Sequence, residues 1–249
     1  MDRNARELTR EAEKGLANYI KARTCCIPGI GTGNIVRAQG RTFIATCRHV
    51  ADYYFSLDKP YVVLFKNERI PKARLNYIVA TKKEIDIALI EVVGDTPQAL
   101  AYELDSFEII ENFSSYPLDK DDLWLIGFPG ELRVEDEHGN WNYWMRYSTI
   151  PYEHKPSSED FLFLSYPIGA KKVLESTTGA PTELPAAPGL SGSFILKIVP
   201  FDVRSADLWA PSLAKVIAMQ IAWDEQNFLV CSNIKHLFEL LEYAGIRTG

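Results

Sequence analysis

The sequence contains no apolar run approaching the roughly 18 consecutive residues that a membrane span requires. Its amino terminus, Met1-Asp2-Arg3-Asn4-Ala5-Arg6-Glu7, is charged from the start, and no apolar stretch of signal-peptide length follows. Neither membrane insertion nor export is expected. Cysteine is scarce: Cys25, Cys26, Cys47 and Cys231 are the four in 249 residues. The adjacent pair cannot bridge to itself without strain, so a disulfide-stapled secreted scaffold is disfavoured and a reducing, cytoplasmic setting is expected. That pair also lacks C-x-x-C spacing and a nearby histidine, which argues against a redox or zinc role. Positive charge is in deficit, with 27 Lys and Arg against 33 Asp and Glu. No basic run exceeds two residues, so no nucleic-acid partner is expected. Nothing signals a metal or a cofactor either.

The composition is otherwise that of a globular chain, 47% hydrophobic and 24% charged. Ala5, Leu8, Ala12, Leu16 and Ile20 recur at the period of an amphipathic helix within residues 1–22, which needs a surface to pack on. That surface is the body of the same chain or a regulatory protein partner.

After Pro28-Gly29-Ile30-Gly31 the pattern turns to short β-branched and aromatic runs between turn residues. Predicted strands are 33–37, 41–46, 61–65, 75–80 and 85–93, then 123–127, 144–150, 161–166, 193–199, 216–222 and 228–231. Residues 97–122 read as a connection and 131–160 as a long hairpin. The hairpin holds Trp141, Tyr143, Trp144, Tyr147 and Tyr152, which serve either as barrel filling or as a recognition surface. Its His138 and His154 lack acids or cysteines at ligand spacing. Residues 233–244 read as a terminal helix, with Asn233 at its cap and Gly245 at its stop. The expected fold is all-β with terminal helices. Its parts are an amphipathic helix (1–22), a first antiparallel barrel (23–110), a second (111–232) and a helix (233–249).

Three segments converge on one chemistry: Thr46-Cys47-Arg48-His49-Val50, Ile85-Asp86-Ile87-Ala88-Leu89-Ile90 and Pro188-Gly189-Leu190-Ser191-Gly192-Ser193. Each has a structural explanation on its own; together they supply a hydroxyl, an imidazole and a carboxylate. A serine hydroxyl is a poor nucleophile at neutral pH unless an imidazole takes its proton, and a buried carboxylate fixes the imidazole tautomer. The catalytic candidates are therefore His49, Asp86 and Ser191. The backbone N–H groups of Gly189 and Ser191 are candidate donors to an oxyanion.

In that order and within those local motifs the chain resembles the trypsin-like serine protease superfamily. Gly31-Thr32-Gly33, Asp86-Ile87-Ala88-Leu89, Ile126-Gly127-Phe128-Pro129, 216–221 and Ser232-Asn233-Ile234 look like the bacterial branch that includes the high-temperature-requirement proteases. The resemblance covers about residues 30 to 245 and implies two six-stranded antiparallel barrels with the active site between them.

Two departures stand out: Leu190 replaces the usual acid or Asn before the serine, and Ser193 replaces the second glycine after it. Leu190 cannot make the ion pair that couples chain cleavage to activation in secreted trypsins, so zymogen processing is not expected. No PDZ-like module follows the resemblance. It places the substrate pocket at Pro185, Pro188, Ile221, Ala222 and Trp223, with an apolar or small residue favoured before the cut. The function expected is intracellular peptide hydrolysis through an acyl-enzyme. A partner would gate it through the amino-terminal helix, in a stress or defence setting. The alternatives are a catalytically silent binding module and a serine esterase on the same triad.

Overall fold

The structure, a computed structural model, describes residues 3–58, 61–64, 69–71, 74–93, 106–108, 123–136, 139–142, 144–167, 175–176, 184–198, 214–224 and 227–247. Helix α1 (Arg3–Ala22) leads into β1 (Thr24–Ile27), β2 (Gly31–Ala38) and β3 (Arg41–Cys47). Helix α2 (Arg48–Ser56) precedes β4 (Tyr61–Val63), β5 (Arg69–Pro71), β6 (Leu75–Ala80), β7 (Ile87–Val92) and the short β8 (Phe107–Glu108). The second half holds β9 (Leu123–Gly127), β10 (Arg133–Asp136), β11 (Gly139–Asn142), β12 (Met145–Thr149) and β13 (Phe161–Ser165). It continues through β14 (Glu175–Ser176), β15 (Phe194–Ile198), β16 (Ala214–Asp224) and β17 (Phe228–Asn233), and closes on α3 (Lys235–Tyr243).

All of these strands but β10 and β11, which pair with each other as a separate antiparallel hairpin, form two curled sheets. The first runs β5-β4-β1-β2-β3-β7-β6, with β8 beside β2; the second runs β13-β17-β16-β15-β9-β12-β14. Their eight and seven strands exceed the expected six, because β5, β8 and β14 are short additions of two or three residues. Pairing is antiparallel throughout except between β8 and β2. Strand β8 lies within the stretch read as a bare connection, most of which falls outside the described residues.

The first sheet is packed on β-branched and aromatic side chains, among them Ile35, Phe43, Ile44, Ile87, Ile90 and Phe107. The second encloses a core of its own with Leu125, Tyr147, Leu164, Tyr166, Leu190 and Leu229. Trp144 and Tyr147 of the aromatic stretch are buried, so barrel filling describes them. The side chain of Trp141 and residues Tyr143 and His138 lie outside the described part. Helix α1 is docked on this body, burying Leu16, Ala17, Tyr19 and Ile20.

Helix α3 buries Leu237 and Leu241 and packs back over β7. Asn233 Oδ1 accepts from Lys235 N at 3.0 Å, and Gly245 ends the helix at φ 79°. The helix start is also tied to the residue before β13. Asp160 accepts from Lys235 Nζ and sits against His236 Nε2, each at 3.0 Å, while His236 Nδ1 faces Glu239 at 2.9 Å.

The hydrogen bond from Lys235 is the main cause holding the Asp160 carboxyl below its ordinary value of 3.8. A carboxylate depressed in the folded state adds stability that is present above its unfolded pKa and lost as pH falls through the folded one. Denaturant midpoints measured between roughly pH 5 and 2 should therefore fall more steeply for the wild type than for Asp160→Asn. Parallel curves would contradict this linkage.

Candidate active site

Helix α2 starts immediately after β3, so its first amide donors need partners that the helix cannot supply. Cys47, at the cap position, makes no side-chain bond to them. Asp86 provides one instead: its Oδ1 accepts from His49 N at 3.0 Å. Its Oδ2 lies 2.6 Å from His49 Nδ1. A carboxylate only accepts, so Nδ1 carries a proton, and in the neutral ring Nε2 then keeps the lone pair. The acid is 13% exposed at its side chain and the imidazole 52%, so the ring stands open above a nearly buried carboxylate.

Asp86 lies outside the strand expected over 85–93. Strand β7 begins at Ile87, and Asp86 sits in the preceding turn at φ 57°, a left-handed conformation that Asp tolerates better than most residues. Lys82 O accepts from both Ile85 N and Asp86 N, and Thr81 Oγ1 accepts from Ile87 N at 2.8 Å. Arg48 N donates to Asp86 O at 2.9 Å. From β17, the buried Ser232 Oγ donates to Ile85 O, so the second barrel holds the peptide just before the acid.

Cys47 Sγ lies within 4.8 Å of ligand atoms of His49 and Asp86, the one such cluster among the described residues. Burial, and next the Asp86 charge, push this thiol well up from its ordinary value. Its Sγ contacts Gln220 O at 3.3 Å. All four cysteines are free and buried.

Ser191 sits in a tight turn in which Leu190 N donates to Ala187 O and Ser193 N to Leu190 O. Strand β2 passes directly against this turn. Thr32 N donates to Ser191 O at 2.8 Å, Thr32 Oγ1 to Gly189 O at 2.9 Å and Asn34 Nδ2 to Gly192 O at 2.6 Å. The approach is close enough to require glycine at Gly192. It has φ 96°, and a Cβ there would lie 2.0 Å from Thr32 O. A Cβ on Gly31 would meet both Ser191 O and the Val50 side chain at 2.8 Å, which brings the turn beside the start of α2. No hydrogen bond joins Ser191 Oγ to His49 among the described residues.

A trans peptide points its N–H opposite to its C=O. Pro188 O is occupied by Gly130 N at 2.7 Å and Leu190 O by Ser193 N at 2.8 Å. The N–H groups of Gly189 and Ser191 therefore face away from those bonds, and neither meets a protein acceptor among the described residues. Of the expected pocket residues, Pro185 is buried with its carbonyl bonded by Tyr166 Oη at 2.8 Å, and Pro188 is exposed. Ile221, Ala222 and Trp223 continue β16 just past Gln220, whose backbone bonds Gly192 N and Ser193 O at 2.8 Å each. Both segments thus border the Ser191 turn.

Thr32, Asn34, Glu131, Gln220 and Ser232 also shape the site, and none of them lies in the three motifs that supply its reactive groups. For Thr32 and Asn34 a signal existed, two polar residues alternating with glycine at the start of a core strand. The departure at Ser193 also has a structural partner. Its Oγ is buried without a partner among the described residues, and a Cβ on Gly127 would lie 2.1 Å from it. Ser193→Gly should be neutral or stabilising, since it removes an unsatisfied buried hydroxyl worth about 1–3 kcal/mol. Gly127→Ala should be strongly destabilising alone and less so in combination with Ser193→Gly, with Leu190 Cδ2 at 3.0 Å and Thr32 Oγ1 at 3.1 Å still crowding the added methyl. Additive costs in a double-mutant cycle would contradict that coupling. Thr32→Val strips a donor to Gly189 O and an acceptor from Phe128 N (3.0 Å), so urea unfolding should show a loss of about 2–4 kcal/mol. A loss under 0.5 kcal/mol would show that these bonds carry little net stability.

Neither a protein-family model nor a curated protein sequence matches the chain. Solved structures do. A Glu endopeptidase in complex with MPD aligns at TM-score 0.52 with 13% identity, over 90% of each chain. A structure from work on the coupled folding and binding of the intrinsically disordered Sesbania mosaic virus VPg protein aligns at TM-score 0.51 with 15% identity, over 87% of each chain. With the two curled sheets and the helices at both ends, these likenesses show the fold: a chymotrypsin-like double barrel of the kind a serine endopeptidase uses.

Proposed function

We propose that the chain is a serine endopeptidase in which Ser191 is the nucleophile, His49 the general base and Asp86 the orienting acid. The observation that carries this reading is the 2.6 Å bond between Asp86 Oδ2 and His49 Nδ1, which leaves Nε2 free to accept a proton. Ser191 Oγ attacks the carbonyl carbon as His49 Nε2 takes its proton. The oxyanion is met by the N–H groups of Gly189 and Ser191, and the imidazolium returns the proton to the departing amine. Water then repeats the sequence on the acyl-enzyme. Asp86 stabilises the imidazolium without itself becoming protonated. The contact between Ser191 Oγ and His49 forms in the substrate complex, as apo catalytic bonds often lengthen.

The half-exposed imidazole favours a peptide over a small ester that needs an enclosing pocket. Pro185, Pro188, Ile221, Ala222 and Trp223 border the residue before the cut. The sequence motifs favour the high-temperature-requirement branch and an intracellular setting. A regulatory partner would engage α1 and bear on access to the cleft.

The test is intact-protein mass spectrometry after exposure to a fluorophosphonate. One adduct on the wild type, mapped to Ser191 and absent from Ser191→Ala, is the expected result. No adduct under any condition would favour a silent binding module. Asp86→Asn should lower kcat/KM on the order of 10³–10⁴-fold by losing the tautomer control. Residual turnover within tenfold of wild type would remove Asp86 from the mechanism.

A further inference from the structure

The chain lacks the acid that ties the nucleophile turn to a new amino terminus in secreted trypsins; Leu190 stands there, fully buried in the second core. Something else must fix the outer side of that turn. Two consecutive residues after β9 do so. Gly130 N donates to Pro188 O at 2.7 Å, and Glu131 Oε2 accepts from Ala186 N at 2.9 Å. The two bonds span the segment that ends in Gly189. Packing adds to them: Gly189 has φ 94°, and a Cβ there would lie 2.4 Å from Gly130 N and 2.6 Å from Phe128 O.

Turning the Pro188–Gly189 peptide over would point a carbonyl, rather than an N–H, at the oxyanion position. It would also leave Gly130 N without its acceptor. The Glu131 bond is charge-assisted and so stronger than a neutral one. It anchors the far end of the same segment and opposes the shift that would let the peptide turn.

We propose that Glu131 is a positioning residue that, with the Gly130 amide, clamps residues 186–189 so that the Gly189 N–H is held in its donating orientation. The oxyanion site is thereby assembled in the resting chain, with no new amino terminus and no activator needed to order it. This rests on the endopeptidase reading above. Control by a partner then acts on access to the cleft rather than on assembly of the donors.

The experiment compares Glu131→Ala with Glu131→Gln, whose amide oxygen can still accept from Ala186 N–H. Glu131→Ala should lower kcat and the rate of fluorophosphonate labelling by about 10- to 100-fold, within the 10²–10³ that complete loss of one oxyanion donor costs. KM should stay within about twofold, because the clamp serves the transition state rather than substrate binding. Glu131→Gln should keep kcat within about threefold of wild type, and a shared melting temperature would exclude general unfolding. In ¹⁵N-glycine-labelled protein the Gly189 amide resonance should move in Glu131→Ala and hold in Glu131→Gln. Unchanged kcat and an unmoved resonance in Glu131→Ala would overturn the proposal, as would a Gln variant as impaired as the Ala variant. If the wild type neither labels nor cleaves, the endopeptidase reading fails, and the Gly189 resonance still decides the clamp.

Discussion

The site depends on one seam, where β2 of the first barrel is pressed against the turn that carries Ser191. Thr32 alone makes three of its bonds: its N–H and hydroxyl reach Ser191 O and Gly189 O, and its hydroxyl oxygen accepts from Phe128 N, while its carbonyl is held within the first barrel by Thr46 Oγ1. Asn34 adds a fourth contact across the same boundary. All of these groups are buried or nearly so, so breaking one bond strands a polar atom away from water. The register between the barrels is thereby fixed to within a hydrogen bond, and a nucleophile on one barrel can meet a base on the other only if that register holds. The glycines follow from the same closeness, since Gly31 and Gly192 leave no volume for a side chain where the two backbones meet.

Asp86 gives the first barrel its half of the site by serving two needs with one carboxylate. One oxygen satisfies an amide at the start of α2 and the other fixes the imidazole on the same residue. One carboxylate thus holds both the helix start and the ring. The second barrel also takes part, because Ser232 holds the Ile85 carbonyl and Gln220 receives Cys47. At this boundary the buried polar residues Thr32, Asn34, Ser193, Gln220 and Ser232 lie beside an apolar cluster that itself runs across both sheets, from Ile44 and Phe107 to Phe194 and Met219.

Much of this was legible in the sequence because strand runs and reactive residues leave local marks. The short runs from Arg41 and Leu123 onward appear as β3 and β9 almost unchanged, and the Leu16–Ile20 period becomes the docked face of α1. His49, Asp86 and Ser191 stood out by type and local setting, and the structure joins the first two directly. Other features were hidden for physical reasons. Helix α2 is short and contains two tyrosines and a phenylalanine, which are poor helix formers, and its start is supported by Asp86 from outside. The apolar run 85–93 hid the left-handed turn at Asp86, since Asp needs no glycine to adopt it. Glu131 looked like one more surface acid, because its partner is a backbone N–H far along the chain. The compensation between Ser193 and Gly127 is likewise a matter of volume across strands, which no local pattern records.

The most direct measurement is a crystal structure of the chain reacted with a peptidyl phosphonate. It should show phosphorus bonded to Ser191 Oγ, His49 Nε2 turned toward that oxygen, and one phosphoryl oxygen about 2.7–3.1 Å from both the Gly189 and Ser191 nitrogens. A phosphonate absent from Ser191, or a phosphoryl oxygen facing solvent with Pro188 O turned into its place, would contradict the assignment of this seam as a catalytic site.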